Sequence, residues 1–238
     1  MEHPLDQDIS EFRSHIARWV DERLIPKSEQ LDRDGEFPHQ LFRELGALGY
    51  FGVMYPEKYG GSGLPKPYTC FTVLCEELAR GSMGLAAAVC MQGSTATHTI
   101  HRWGSEELQR RYLVPAIRGE KIGAFALTEP DAGSDAASLR TSAVKTDGGY
   151  RLSGTKMFTS NGTVAHFITV AATTVRALGL KGISLFLVDT KSDGFSVGRR
   201  LDKFTTHCSD TAELVFDNVG HFFPSSAPAE RVCTTPGS

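Results

Sequence analysis

Lys121-Ile122-Gly123-Ala124-Phe125-Ala126-Leu127-Thr128-Glu129-Pro130-Asp131-Ala132-Gly133-Ser134-Asp135 switches the sequence from one periodicity to another and so decides the fold. Up to Lys121 apolar residues recur three and four apart. After it they alternate, and residues 122–127 predict a strand. Gly133 and Ser134 beyond it form a compact turn.

Working back from this point, residues 5–119 read as helical. Ile9, Phe12, Ile16, Trp19, Val20, Leu24 and Ile25 place one apolar stripe on a long first helix. Pro26 near its end predicts a kink or a stop. Further helices are predicted over residues 38–48, 68–80, 84–103 and 106–118. Residues 84–93 are almost all small and apolar, as in a buried helix packed closely by its neighbours. Ser105 before Glu106 and Glu107 marks a helix start, because acids suit the positive end of the helix dipole.

Working forward, residues 142–146 and 150–154 flank Asp147-Gly148-Gly149, which is hairpin chemistry because Gly supplies positive φ. Residues 164–175, 183–189, 195–199 and 213–217 add short strands without intervening helices. Such a succession predicts an antiparallel sandwich or barrel. The expected fold class is therefore α+β. An N-terminal all-α domain (1–119) precedes an antiparallel β-sandwich or barrel domain (120–219), and a Ser/Pro/Thr-rich irregular tail (220–238) follows.

Composition narrows the function classes. Of 238 residues 40% are hydrophobic and 22% charged, ordinary for a globular protein. A net charge of -3, with Lys and Arg scattered, gives no electrostatic reason to expect nucleic acid as a partner. No apolar run is long enough to span a bilayer. The start, with Glu2, Asp6, Asp8 and Glu11, resembles neither a secretory nor an organelle-targeting segment. The five cysteines, Cys70, Cys75, Cys90, Cys208 and Cys233, lack a framework spacing. Free thiols in a reducing cytoplasm are the expectation.

Several tempting motifs fail on spacing. Gly60-Gly61-Ser62-Gly63 lacks the Gly-Lys-Ser/Thr of a phosphate loop and reads as a connection between helices. A calcium loop beginning at Asp131 would need Gly at Ala136 and Glu at Ser142. His98 and His101 near Cys90 have no second pair of metal ligands, so no metal site is expected. Cys208 beside His207 is no nucleophile pair, because adjacent strand residues point to opposite faces. Glu76 and Glu77 read as a solvated or interhelical face.

The segment Phe125–Asp135 resembles a hallmark of the acyl-CoA dehydrogenase family. Gly154-Thr155-Lys156-Met157-Phe158-Thr159-Ser160-Asn161-Gly162 resembles its second flavin-contacting stretch. Weaker likeness flanks them in Tyr55 to Gly63, Cys75 to Ala79, and Ser209-Asp210-Thr211 leading into Leu214 to Val219. The resemblance implies FAD as cofactor, bound through Phe125, Leu127, Thr128, Gly133, Ser134, Phe158, Thr159 and Ser160. It implies that Thr128 bonds the pyrimidine side of the flavin, Ser160 its N5, and Phe158 one face. Ser134 is implied at the diphosphate or the bound thioester. Phe158 stands where the family commonly has Trp, and Ser160 where it has Thr. Phe keeps the apolar cover but loses the indole N–H; Ser keeps the hydroxyl. The residue types suit a flavin on physical grounds too. Its apolar plate needs an apolar cover and hydroxyls at its rim, and its diphosphate needs close-approaching backbone.

The resemblance further implies α,β-dehydrogenation of an acyl-CoA or acyl-carrier thioester, with an electron acceptor to reoxidise the flavin. The family's catalytic Glu lies in a third, C-terminal helical bundle, for which nothing after Val219 provides. No catalytic base is therefore assigned, and a shortened member is expected, prone to self-association or dependent on a complementing partner chain.

Overall fold

The computed structural model describes residues 7–147 and 149–221. Gly148, Cys233 and the expected tail beyond His221 lie outside the described residues.

The apolar stripe of the first helix becomes α1 (Gln7–Trp19), with Ile9 and Ile16 buried. It runs on through a widened π turn (Val20–Leu24) that buries Val20 and Leu24. Pro26 then sits in a 3-10 turn (Ile25–Lys27), and the chain resumes as α2 (Ser28–Asp34), which stops at left-handed Gly35. Pro26 is thus a kink. It lies at a turn start, where its missing N–H costs nothing. The next helix, α3 (His39–Ala47), is one-sided, with Leu41, Phe42 and Leu45 buried.

The helices α4 (Pro67–Gly81) and α5 (Met83–Cys90) meet at Ser82, whose Oγ accepts from Leu85 N at 3.2 Å and caps α5. Beyond α5 a second π turn (Met91–Thr95) leads into α6 (Ala96–Trp103), so the helix expected over 84–103 is one rod with a widened middle. The same holds for α7 (Glu106–Leu108), a π turn (Gln109–Leu113) and α8 (Val114–Ile117). As the sequence predicts, Ser105 caps α7, its Oγ accepting from Leu108 N at 3.3 Å.

The strands are β1 (Gly123–Ala126), β2 (Ser142–Thr146), β3 (Gly149–Ser160), β4 (Phe167–Thr173), β5 (Ile183–Asp189), β6 (Phe195–Arg200) and β7 (Thr211–His221). They form one sheet in the order β1-β4-β2-β3-β7-β6, with β5 on β4. The α+β class is as expected, but the sheet is mixed. Both β1 and β2 lie parallel to β4, while β2–β3, β3–β7, β4–β5 and β6–β7 are antiparallel. The chain leaves β1, loops out, and returns as β2, where Ser142 pairs with Thr173 of β4. Two strands are longer than their alternation predicts. β3 continues past residue 154 to Ser160, and β7 extends through Gly220 to His221, where the tail was expected to have begun.

One face of the sheet closes over Ala124, Ala126, Leu152, Ile168, Val170, Phe186, Leu214 and Phe216. The opposite face of β4 meets the helices, with Phe167 edge-on to Tyr112 at 5.4 Å between ring centroids. Each large apolar side chain so buried contributes about 1.5–3 kcal/mol. Gln92, wholly buried in the π turn, joins the two layers. Its Nε2 donates to the carbonyls of Ala116 (3.0 Å) and Lys121 (2.7 Å), and its Oε1 accepts from Gly123 N at 2.8 Å. Among the described residues no helix is long and apolar enough to cross a membrane.

Candidate functional site

The loop between β1 and β2 is bound to β3 by a buried ion pair. Glu129 Oε1 and Lys156 Nζ lie 2.7 Å apart, with side chains 4% and 0% exposed. Lys156 Nζ also donates to Leu127 O at 2.8 Å. The Glu129 carboxylate accepts from the backbone N–H groups of Arg140 (2.6 Å) and Thr141 (2.9 Å). One carboxylate thereby gathers both ends of the loop onto the strand. Burial pushes the Glu129 carboxyl up, but the bonds from Lys156, Arg140 and Thr141 outweigh it and hold it below the ordinary value. Burial likewise lowers the Lys156 ammonium, with Glu129 opposing.

The backbone adds a second tie. Met157 N donates to Thr128 O at 2.8 Å, which places Thr128 beside the segment 157–160. Glu129 and Ala132 exchange backbone bonds of 2.8 and 3.3 Å, so Pro130 and Asp131 form the tip of a tight turn. Arg140 Nη1 reaches Asp131 Oδ2 at 2.7 Å across that turn. The loop is firmly built, although little of it belongs to the sheet.

Phe158 is the unusual residue of the region. It lies where the β3–β7 register shifts between Lys156 and Thr159, with φ at 56°. Bulky residues rarely adopt this left-handed backbone, and holding one there costs about 1–3 kcal/mol. The ring gains no burial in return, for Phe158 is 63% exposed.

The other residues singled out from sequence divide by placement. Thr128, whose carbonyl accepts from Met157 N, and Ser160, two residues beyond Phe158, are both half-buried, and their hydroxyls are unengaged among the described residues. Phe125 and Leu127 are half-buried and alternate with buried Ala124 and Ala126. Gly133 and Ser134 are exposed beyond the tight turn, and a side chain at Gly133 would meet nothing within 4 Å. That position is open space. Thr159 departs from the set. Its side chain is 1% exposed and turned into the sheet, with Oγ1 lacking a partner, so only its backbone faces the side of Phe158 and Ser160.

Two organising residues escape sequence reasoning. Asn161, also at positive φ (61°), donates through Nδ2 to Ala88 O (3.2 Å) and Gly123 O (3.3 Å). It pins the end of β3 to α5 and β1 at once. The Asn-Gly pair after Ser160 is a turn signal that could have drawn attention to it. Gln92, in an otherwise apolar helix, is the second.

The discounted motifs have ordinary explanations. His101 packs edge-on against Tyr55 and Tyr59 at 5.2 and 5.3 Å. No three potential metal ligands cluster among the described residues. His207 turns to Asp32 (3.3 Å), while Cys208 is buried beside Ser82 Oγ (3.6 Å); both occupy a loop. Glu76 and Glu77 take both arms of Arg13, at 2.6 and 2.7 Å, and form an interhelical face.

Two sequence models cover most of the chain. Acyl-CoA dehydrogenase, N-terminal domain, matches residues 6–120, and acyl-CoA dehydrogenase, middle domain, matches residues 124–219. The chain belongs to the acyl-CoA dehydrogenase family. Within that family, benzylmalonyl-CoA dehydrogenase of Aromatoleum aromaticum is 41% identical over 95% of this chain and 58% of its own length. Butyryl-CoA dehydrogenase of Megasphaera elsdenii has the same fold, with a TM-score of 0.88, at 35% identity over 97% of this chain and 59% of that one. Glutaryl-CoA dehydrogenase of Mycobacterium smegmatis, solved in complex with FADH2, gives a TM-score of 0.85 at 36% identity, over 95% of this chain and 56% of that one. The chain thus spans between 56% and 59% of these acyl-CoA dehydrogenases.

Proposed function

We propose that this chain forms the FAD-binding part of an acyl-CoA dehydrogenase. The reaction is α,β-dehydrogenation of an acyl-CoA or acyl-carrier thioester, followed by electron transfer to a separate acceptor. The observation that carries the proposal is Phe158, held exposed on a strained bulge next to Met157, whose N–H donates to Thr128 O, and two residues before Ser160. The residues fit a flavin. Phe158 offers an apolar plate, Thr128 and Ser160 offer rim donors, and open space at Gly133 beside exposed Ser134 suits a diphosphate or thioester. Phe125 and Leu127 extend the apolar side, and Thr159 contributes backbone alone.

Bound FAD supplies the hydride acceptor. The chain's own residues then orient and screen. The Phe158 ring excludes water from one side of the site, and the Ser160 and Thr128 hydroxyls fix the orientation of what they bond. Glu129 is committed to Lys156 and two backbone N–H groups and does not take the α-proton. On this proposal the proton acceptor comes from outside the described residues, from a further segment or a partner chain. Free thiols at Cys70, Cys75, Cys90 and Cys208 suit a reducing compartment such as the cytoplasm.

The test uses the 238-residue chain incubated with FAD, freed of excess, and followed by visible spectroscopy. A bound flavin spectrum is the expected result, and bleaching by an acyl-CoA, with turnover through an artificial electron acceptor, is expected when the further segment or partner chain that supplies the proton acceptor is added. A bound flavin that never bleaches even with that segment or partner added would reduce the chain to a binding module. A colourless chain would overturn the proposal.

A further inference from the structure

In the sheet β4 and β2 lie between β1 and β3, so the spacing of the two segments that β1 and β3 carry is left to other bonds. Two ties bracket Phe158, Thr159 and Ser160. Before them Met157 N donates to Thr128 O at 2.8 Å. After them the wholly buried Asn161 donates through Nδ2 to Gly123 O (3.3 Å), at the head of β1, and to Ala88 O (3.2 Å) on α5. Asn suits this place on two counts. Its amide supplies both donors, and it tolerates the left-handed φ of 61° better than most residues.

Asp210 secures Asn161 in turn. Asp210 O accepts from Asn161 N at 3.0 Å. The Asp210 carboxylate, in a residue 1% exposed, accepts from Thr163 N at 2.7 Å through Oδ2 and closes the turn that follows β3. Ser160 and Thr211, the residues inside this clamp, are register partners in the β3–β7 ladder. Arg200 Nε stands 3.6 Å from Asp210 Oδ1, and Arg200 is itself anchored to Gly35 O and His207 O. A buried carboxylate set between a backbone N–H and a guanidinium has little freedom to move.

We propose that Asn161 and Asp210 are positioning residues that hold Ser160 where its hydroxyl meets the flavin rim. The inference rests on the reading of Ser160 as a rim donor. Both side chains are buried and turned to protein groups, so they act through Ser160 rather than on a ligand. Asn161 sets where Ser160 stands relative to β1, and Asp210 acts through the bond to Thr163 N that shapes the turn. Hydrogen bonds weaken steeply with misalignment, so a small displacement of Ser160 is enough to lose its bond to the rim.

The test is a double-mutant cycle on the 238-residue chain, read by FAD titration and by the visible spectrum of the bound flavin. Ser160→Ala is expected to lower FAD affinity roughly fivefold and to shift the visible bands. Asp210→Ala is expected to do the same, as is Asn161→Gly, which keeps the left-handed backbone accessible. Asp210→Asn retains an acceptor for Thr163 N and is expected to stay within about twofold of wild type. In the Ser160→Ala background neither Asp210→Ala nor Asn161→Gly is expected to add a further loss, because the group they position is gone. Losses that multiply instead would show a merely structural role and overturn the assignment. Wild-type affinity in Ser160→Ala or in both positioning variants, or equal losses in Asp210→Asn and Asp210→Ala, would also overturn it. Those outcomes leave flavin binding by the wild-type chain standing, whereas a wild-type chain that binds no FAD overturns the proposed function and this inference together. If Asp210→Ala fails to fold, the cycle with Asn161→Gly decides the question.

Discussion

Phe158 is the residue at which local structure and function pull apart. Its left-handed backbone is costly and its ring is exposed, so folding alone does not account for it. Phe158→Gly should therefore leave stability unchanged or raised in urea denaturation. Relief of about 1–3 kcal/mol of strain offsets the roughly 0.5–1 kcal/mol of unfolded-state entropy that Gly adds. FAD affinity should fall roughly tenfold, the loss of about 1.4 kcal/mol of ring contact. A variant that loses about 3 kcal/mol or more of stability while its folded form binds flavin normally would make Phe158 a folding residue.

Glu129 and Lys156 behave oppositely. Lys156→Met strands a buried carboxylate and should cost about 3–5 kcal/mol, whereas Glu129→Gln with Lys156→Met should recover most of it. The folded-state pKa of Glu129 lies below the ordinary value of 4.5. Its contribution is therefore present above pH 4.5 and lost as pH falls through the lower folded value. The double variant should show a shallower acid-side loss of melting temperature, and an unchanged slope would contradict the assignment. The sequence displayed both residues within its two recognisable segments. It could not display the pairing, because pairing depends on how a loop folds back on a strand.

At the scale of elements, β3 shows what alternation misses. Residues 150–154 predict a strand that stops, yet it continues to Ser160 through Gly154 at φ 153° and two register shifts. A side chain at Gly154 would lie 2.4 Å from Thr141 Oγ1, close to the ion pair. Gly154→Ala should destabilise by more than about 1 kcal/mol and weaken flavin binding with it. Equal stability in chemical denaturation would show that the bulge relaxes freely. Helices were more legible, because a one-sided stripe and a cap such as Ser105 act locally. Their π turns were not, since Gln92 and its three partners come together only in the tertiary fold.

At the scale of the whole molecule, the α-then-β order was readable from the change of period at Lys121. The two parallel pairings were not, because the loop between β1 and β2 returns to the same edge of β4. The surface carries apolar side chains at Val175, Leu178 and Leu180, exposed by 48%, 56% and 64% around one short turn. Self-association through this patch is expected to rise with concentration in size-exclusion chromatography and to fall in Leu178→Ser with Leu180→Ser. A monomer at every concentration would rule that out.

The central claim is that the segments Phe125–Ser134 and Phe158–Ser160 are held together in order to carry a flavin. Equilibrium titration of the 238-residue chain with FAD, followed by flavin fluorescence, tests it most directly. Saturable binding of one FAD per chain, weakened in Phe158→Gly while the fold is retained, is the predicted result; absence of saturable binding by a folded chain, or binding indifferent to Phe158, would contradict it.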